Sequence, residues 1–290
     1  MIQELLNTHC FKLKVLLEVS DMPKSTYYFE LKKIDLDERK NKEIMDKIKE
    51  IFEKHKSRYG VRRIYRELLN QGYLISHNKV QRLMNKMHLK GINPREKYHS
   101  YKGEVGKTAP NIIERNFEAT EPNQKWTTDV SQFNFSWGKC YLSPILDMYN
   151  DEIISYDLSL HPNFEQIENM LKQAFDKNEN LEGLIFHSDQ GWQYQNPRYV
   201  AALNEKGIQQ SMSRKGNCYD NCIMESFFGT LKNEMYYGQE SSYESFEAFK
   251  KAIDEYIDYF NNERIQSKTK WMSPVEYRET SICKLFNMSG

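Results

Sequence analysis

Apolar positions recur every three to four residues through the first ninety residues, and cluster in short runs beyond them. Ile44, Ile48, Ile51 and Phe52 predict a helix over 40–55. Ile64, Leu68 and Leu69 line one face of a second helix, with Gly60 as a break before it and Gly72 as its stop. Val80, Leu83, Met84 and Met87 form the stripe of a third, capped by Ser76 or Asn78 and followed by Gly91. Upstream, VLLEVSDMPKSTYYFELKK reads as helix, turn at Ser20–Pro23, helix, which is a helix-turn-helix pattern.

Past residue 122 the period changes. KWTTDVSQFNF, 125–135, is rich in β-branched and aromatic residues and predicts a strand with Asp129 in it. KCYLSPILDMY and EIISYDLSL predict two more, with a turn at Asn150–Asp151 between them and a bulge or unpaired position at Pro144. FEQIENMLKQAFDK is an amphipathic helix with Ile167, Met170, Leu171 and Phe175 inward. The run Leu184-Ile185-Phe186 predicts a buried strand that stops on His187-Ser188-Asp189. A helix near PRYVAALNEKG, a strand IQQSMS, a helix over 218–236 and a long helix over 243–262 complete the series. The order predicts an α/β fold, a mixed sheet with flanking helices, preceded by a small all-α, helix-turn-helix-like domain. The expected divisions are a helix-turn-helix-like segment at 1–40, a basic helical domain at 41–91, a linker at 92–122, an α/β core at 123–237 and a helical extension at 238–290.

Composition adds little until the charge is divided. The 290 residues are 39% hydrophobic and 28% charged with no net charge, and no apolar run approaches membrane-spanning length. Residues 1–110 hold 24 Lys and Arg against 14 Asp and Glu, whereas residues 111–290 hold 17 against 27. A basic half suits a polyanion, and an acidic half gathers carboxylates for another purpose. Arg58, Arg62, Arg63, Lys79 and Arg82 fall on the outer faces of the basic helices and are the candidate DNA contacts. Five scattered cysteines suit free thiols in a reducing cytoplasm, and no second pair completes a zinc site with Cys218 and Cys222.

The chemistry collects in the acidic half. Asp189 sits where a hydrophobic strand ends, rigid on one side and open on the other. In DNCIMESFFGTLKNEM, Ile223, Met224, Phe227, Phe228, Leu231 and Met235 gather on one helical face. Glu225 falls outside that stripe, beside Asn221 and in line with Lys232. Asn217 is a plausible N-cap, and Asp220 in the first turn suits the helix dipole. Two Asp on strands and a Glu on a helix suit a hard cation such as Mg²⁺, which takes oxygen ligands and is completed by water and phosphate. His187 and Ser188 do not form a hydrolase triad, because successive strand side chains point to opposite faces.

At these residues a family becomes visible. KWTTDV, FHSDQGWQY and SMSRKGNCYDNCIMESFFGTLKNE resemble the three motif blocks of bacterial insertion-sequence transposases of the OrfB class, whose core is similar to retroviral integrase. Asp189 and Glu225 are separated by 35 residues, the family's spacing. HKSRYGVRRIYRELLNQGYLISHNKVQRLMNKMHLKG resembles the family's upstream helical domain, and YIDYFNNERIQSKTKWMSPVEY its C-terminal block. Cys222 stands where the family often has Ala, and Gln266 where it often has His. The resemblance implies a ribonuclease-H-like core, with Asp129, Asp189 and Glu225 as catalytic ligands of two Mg²⁺ or Mn²⁺ ions and Lys232 as a DNA contact. It implies DNA cleavage and strand transfer at element ends, and a homo-oligomer on double-stranded DNA. It implies an upstream OrfA partner or frameshift fusion, and a cytoplasmic, nucleoid-associated setting with no membrane. A metal-dependent nuclease or resolvase that cuts without joining, and a non-catalytic DNA-binding regulator, are the competing readings.

Overall fold

The computed structural model describes residues 12–92, 108–214 and 218–288, together with Leu6. The chain divides into two compact units, 1–91 and 92–290.

The first unit is helical: α1 (Leu13–Val19), α2 (Lys24–Lys54), α3 (Val61–Asn70) and α4 (His77–Lys86). Ile48, Ile51 and Phe52 of α2 are buried, as are Ile64 and Leu68 of α3 and Val80, Leu83 and Met84 of α4. The apolar stripes thus close a small core. Ser76 caps α4, its Oγ accepting the Lys79 N–H at 3.3 Å. A Cβ on Gly91 would lie 2.7 Å from the Gly60 backbone nitrogen, so these two glycines let the end of the unit touch the entrance to α3. The expected division at 40/41 differs from what is observed, because α2 runs through it for 31 residues. Residues 33–40 include six charged residues in eight and neither Gly nor Pro. Helix propensity continues there without an apolar stripe to announce it.

The second unit is built on a sheet: β1 (Lys125–Thr128), β2 (Ser131–Phe135), β3 (Gly138–Asp147), β4 (Ile153–Ser159), β5 (Ile185–Ser188) and β6 (Gln209–Met212). Its helices are α5 (Phe164–Lys177), α6 (Pro197–Glu205), α7 (Cys222–Leu231), α8 (Phe246–Asn262) and α9 (Pro274–Met288). β1 and β2 both run antiparallel to β3 in one register, with Thr128 opposite Ile145 and Ser131 opposite Leu142. They are one strand interrupted at Asp129 and Val130. The same register sets Asp129 opposite Pro144. Met148 N–H donates to Lys125 O at 2.9 Å, so even-numbered residues of β3 face this neighbour. Pro144 is the one among them with no N–H to give, and this is the unpaired position its sequence implied.

β4 pairs antiparallel with the other edge of β3, β5 pairs parallel with β1, and β6 parallel with β5. Trp126 and Phe186 point to the face covered by α5 and α6, where Met170, Tyr194 and Tyr199 are fully buried. The opposite face carries α7 and α8, with Phe227 edge-on to Phe260 and Phe133 against Phe249. Two segments expected to lie outside the core belong to it. Residues 108–118 of the expected linker pack on the sheet: Ile112 N–H donates to Ser211 Oγ at 2.9 Å, and Lys125 Nζ donates to Asn116 O and Glu118 O at 2.8 and 2.7 Å. The C-terminal helices are fastened by Asn261, which exchanges two 2.9 Å bonds with the Ile153 backbone, and by Asn150, which donates to Pro274 O. Among the described residues no helix is long and apolar enough to cross a membrane.

Candidate active site

Two of the three carboxylates are set side by side by strand register alone. β1 and β5 pair as Trp126 with Phe186 and Thr127 with His187. Two residues further on, the same offset brings Asp129 level with Asp189, on strands about 4.8 Å apart. Alternation puts both on the face of Thr127 and His187, away from the Trp126–Phe186 core. β5 stops at Ser188. Ile185 N–H donates to Gln124 O at 3.1 Å, so even-numbered positions of β1 face β5. At Val130 there is no β5 left to face, and its N–H goes to Asp129 Oδ1 at 2.7 Å. The other oxygen, Oδ2, accepts from Asn221 Nδ2 at 3.0 Å. Asp189 Oδ1 accepts from the Gly191 N–H at 2.8 Å, fixing the turn after the strand.

The third carboxylate arrives with α7. Asn221 immediately precedes that helix, so its bond to Asp129 brings the first turn, with Glu225, to the strand ends. Asp129 is buried, while Asp189 and Glu225 are half-buried. All three carboxyls are held above the ordinary range, mainly by burial. For Asp129 the charges of Asp189 and Glu225 add to burial, against the opposing bonds from Val130 and Asn221. The three acids therefore share one electrostatic neighbourhood.

Asp220 was expected to serve the helix dipole. It lies instead in the turn before α7 and is the hub of an ion cluster. Arg214 donates to it through Nε and Nη2 at 2.9 Å each, Arg115 through Nε at 3.1 Å, and Asn111 through Nδ2 at 3.1 Å. These cations hold its carboxyl well below the usual range. Its carbonyl accepts from His187 Nε2–H at 2.9 Å, which leaves Nδ1 to accept from Ser211 Oγ at 2.9 Å. His187 is buried, which keeps its pKa low. It ties β5 and β6 to the root of α7. Asn217, the expected cap, lies outside the described residues.

Lys232 shares an edge of the helix with Glu225, as its spacing required, but it is buried rather than solvent-facing. Its Nζ donates to Gln132 O at 3.1 Å and stands 4.9 Å above the Phe133 ring. Burial lowers its pKa to about 8, while the Asp129 charge pulls the other way. The candidate DNA contacts lie in the first unit, Arg62 and Arg82 exposed and Arg58, Arg63 and Lys79 half-buried. Arg63 rests over the Tyr59 ring at 5.6 Å.

The donor set suits a hard divalent cation: carboxylate oxygens, one of them deeply buried and repelled by its neighbours. Asn221 spends its Nδ2 on Asp129, and its buried Oδ1 has no hydrogen-bond partner among the described residues. That oxygen would accept from a water carried by an ion held at these carboxylates. Among the described residues, no three His, Cys, Asp or Glu side chains form a ready-made metal cage.

A mixed sheet with two in-register aspartates, a glutamate on the following helix and a basic helical unit upstream describes a nucleic-acid-processing enzyme. Family models agree: residues 119–218 and 225–282 each match an integrase core domain, and residues 38–98 an HTH-like domain. The chain is 47% identical over 268 residues to the putative transposase InsK for insertion sequence element IS150 of Escherichia coli K12, covering 92% of this chain and 94% of that one. It is 56% identical over 216 residues to a transposase-like protein of Haemophilus influenzae, covering 74% and 98%. A solved HTLV-2 integrase catalytic core with magnesium is similar at 15% identity and a TM-score of 0.44, over 55% of this chain and 98% of that one. The chain belongs to the insertion-sequence transposases built on an integrase core. It is an enzyme of the DNA strand-transfer class, with an HTH-like helical region ahead of its catalytic core.

Proposed function

We propose that Asp129, Asp189 and Glu225 together bind two Mg²⁺ or Mn²⁺ ions and that the chain cuts and joins DNA at the ends of its own insertion element. The observation that carries this is the parallel register of β1 with β5, which runs out just before Asp129 and Asp189, closed by the Asn221 bond to Asp129 that delivers Glu225. Bound divalent ions would supply Lewis acidity to the attacked phosphodiester and lower the pKa of the attacking hydroxyl. The chain's own residues orient the ligands. Val130 and Asn221 fix the two oxygens of Asp129, Gly191 fixes Asp189, and Asp220 with His187 anchors the root of α7. In the first step a water or other hydroxyl attacks a phosphodiester at the element end. In the second, the freed 3′-OH attacks a phosphodiester of the target.

Lys232 would meet a phosphate beside the triad by exchanging Gln132 O for it. Arg58, Arg62, Arg63, Lys79 and Arg82 would contact the duplex further away. The enzyme would work as a homo-oligomer on nucleoid DNA, with an OrfA product or OrfA–OrfB fusion supplying end recognition. A strand-transfer assay on the terminal repeats flanking the gene, with Mg²⁺ or Mn²⁺ and with or without the upstream product, tests the reading. Joined products are expected. Metal-dependent cutting with no joining under any of these conditions would overturn it in favour of a nuclease.

A further inference from the structure

A cavity of about 280 Å³ opens on the side of α7 next to Glu225. Cys222, Ser226 and Thr230, at successive helical turns, form one wall, and the segment 264–268 forms the other. Cys222 follows the Asn221 that holds Asp129, and Ser226 follows Glu225, so the cavity and the triad flank the same turns of one helix. Its floor is apolar and aromatic, with Phe227, Phe260 and Leu146. The opposite wall is held in place. Lys268 Nζ donates to Met148 O at 2.7 Å and Asp151 Oδ1 at 2.6 Å, and the backbone of Gln266 is bonded through both N–H and C=O to the turn ending at Met272. Within that fixed wall, the buried Nε2 of Gln266 has no hydrogen-bond partner among the described residues.

The charges decide what fits. Both cations at the cavity are already paired, Arg264 with Glu234 at 2.7 Å and Lys268 with Asp151. A phosphate would meet an apolar floor and no spare positive charge, and its desolvation would go uncompensated. A neutral, flat group with polar atoms on its edge meets aromatic surface below and an unused amide donor at the side. The volume, close to the ~300 Å³ lower limit of small-molecule sites, suits a single such group. We infer that the cavity receives one nucleobase of the DNA, turned out of its stack beside the scissile phosphate, and that Gln266 Nε2 donates to an acceptor on the base edge. Turning a base out costs its stacking, which contact with the apolar floor offsets in part.

The inference rests on the transposase reading and is tested separately from it. The full chain is bound to duplexes that carry the element's terminal repeat, with 2-aminopurine at each position around the cleavage site in turn. Fluorescence per bound duplex reports unstacking. One position is expected to brighten severalfold with the wild type. It should stay dark with Ser226→Phe, which fills the cavity. Gln266→Leu should still brighten there but lose about fivefold in preference among bases at that position, the worth of one neutral hydrogen bond. Melting transitions of both variants establish that they are folded. Cleavage by the wild type with no position brightening, or brightening that survives Ser226→Phe, would overturn the pocket and leave the transposase reading standing. Brightening that Ser226→Phe abolishes supports the pocket even where joining is not seen.

Discussion

Asp129 is the residue on which most of the site converges. Burial, with the neighbouring acids, raises its pKa, and its neighbours come from three directions: its own backbone neighbour, the end of the parallel strand and the root of α7. Asp129→Asn, Asp189→Asn and Glu225→Gln are each expected to abolish cleavage and joining in gel assays while duplex binding persists. Full activity in any one would remove that residue from the ligand set. Asn221→Ala removes a partner of a ligand rather than a ligand, so activity should fall by about 10–100-fold and recover in part at higher Mn²⁺. Away from the site, Asp147 is buried with its oxygens accepting from the Asn123 and Tyr149 N–H groups at 2.8 Å each, and burial raises its pKa to about 6. The folded chain therefore keeps this proton at pH values where the unfolded chain, with an ordinary carboxyl near ~3.9, has lost it. Its contribution makes stability fall as pH rises from about 4 to about 6, then level off. Urea unfolding across that range should show a shallower decline in Asp147→Asn.

Among the elements, β5 and α5 were legible from their apolar runs, because a buried strand end and a 3.6-residue stripe leave direct marks in sequence. The single helix α2 was not, since the sequence of its charged middle carries no apolar stripe to mark it. The break between β1 and β2 was half legible: Pro144 signalled a missing bond, but only pairing shows that the gap falls opposite Asp129. Lys232 shows another limit. Helical period gives the direction of a side chain about the axis, not what lies above it at each height, so the edge open at Glu225 and closed by β2 at Lys232 looked uniform. Asp220 was legible only as a charge near a helix start, because two of its partners, Arg115 and Asn111, are more than a hundred residues away and nothing in the sequence singles out the nearby Arg214 as the third. A π turn over Lys232–Tyr236 follows α7 and places Glu234 against Arg264, with Tyr256 Oη donating to the same carboxylate at 3.0 Å. Arg264→Met strands a buried carboxylate and should cost about 3–5 kcal/mol in urea unfolding. Glu234→Met combined with Arg264→Met should cost less than Arg264→Met alone.

At the scale of the whole chain, the basic and acidic halves of the sequence correspond broadly to the helical unit and the sheet unit. Carboxylates around the strand ends repel phosphate until a divalent ion is bound, so most duplex affinity should reside in the helical unit and the segment after it. A fragment of residues 1–110 is expected to bind duplex DNA with most of the full-length affinity. With about five phosphate contacts, the slope of log affinity against log salt would be about −4 to −5. A fragment of residues 108–290, which keeps the segment packed on the sheet, should bind weakly, and better with Mg²⁺ or Ca²⁺ than with EDTA. Titration of both at several salt concentrations decides this, and tight, salt-insensitive binding by 108–290 would reverse the assignment.

The bond between Arg214 and Asp220 has a mechanical consequence. A length of chain whose two ends are fastened to each other transmits no tension to the residues beyond it. Whatever is added between those two residues hangs from a closed clasp, and α7 leaves from the far side of the clasp, already tied to β5 through His187. The length of chain between Arg214 and Asp220 is thus decoupled from the distance in space between Asp189 and Glu225. Residues inserted between Arg214 and Asp220 are therefore expected to leave strand transfer intact, as assays on insertion variants would check, provided that the clasp itself is kept.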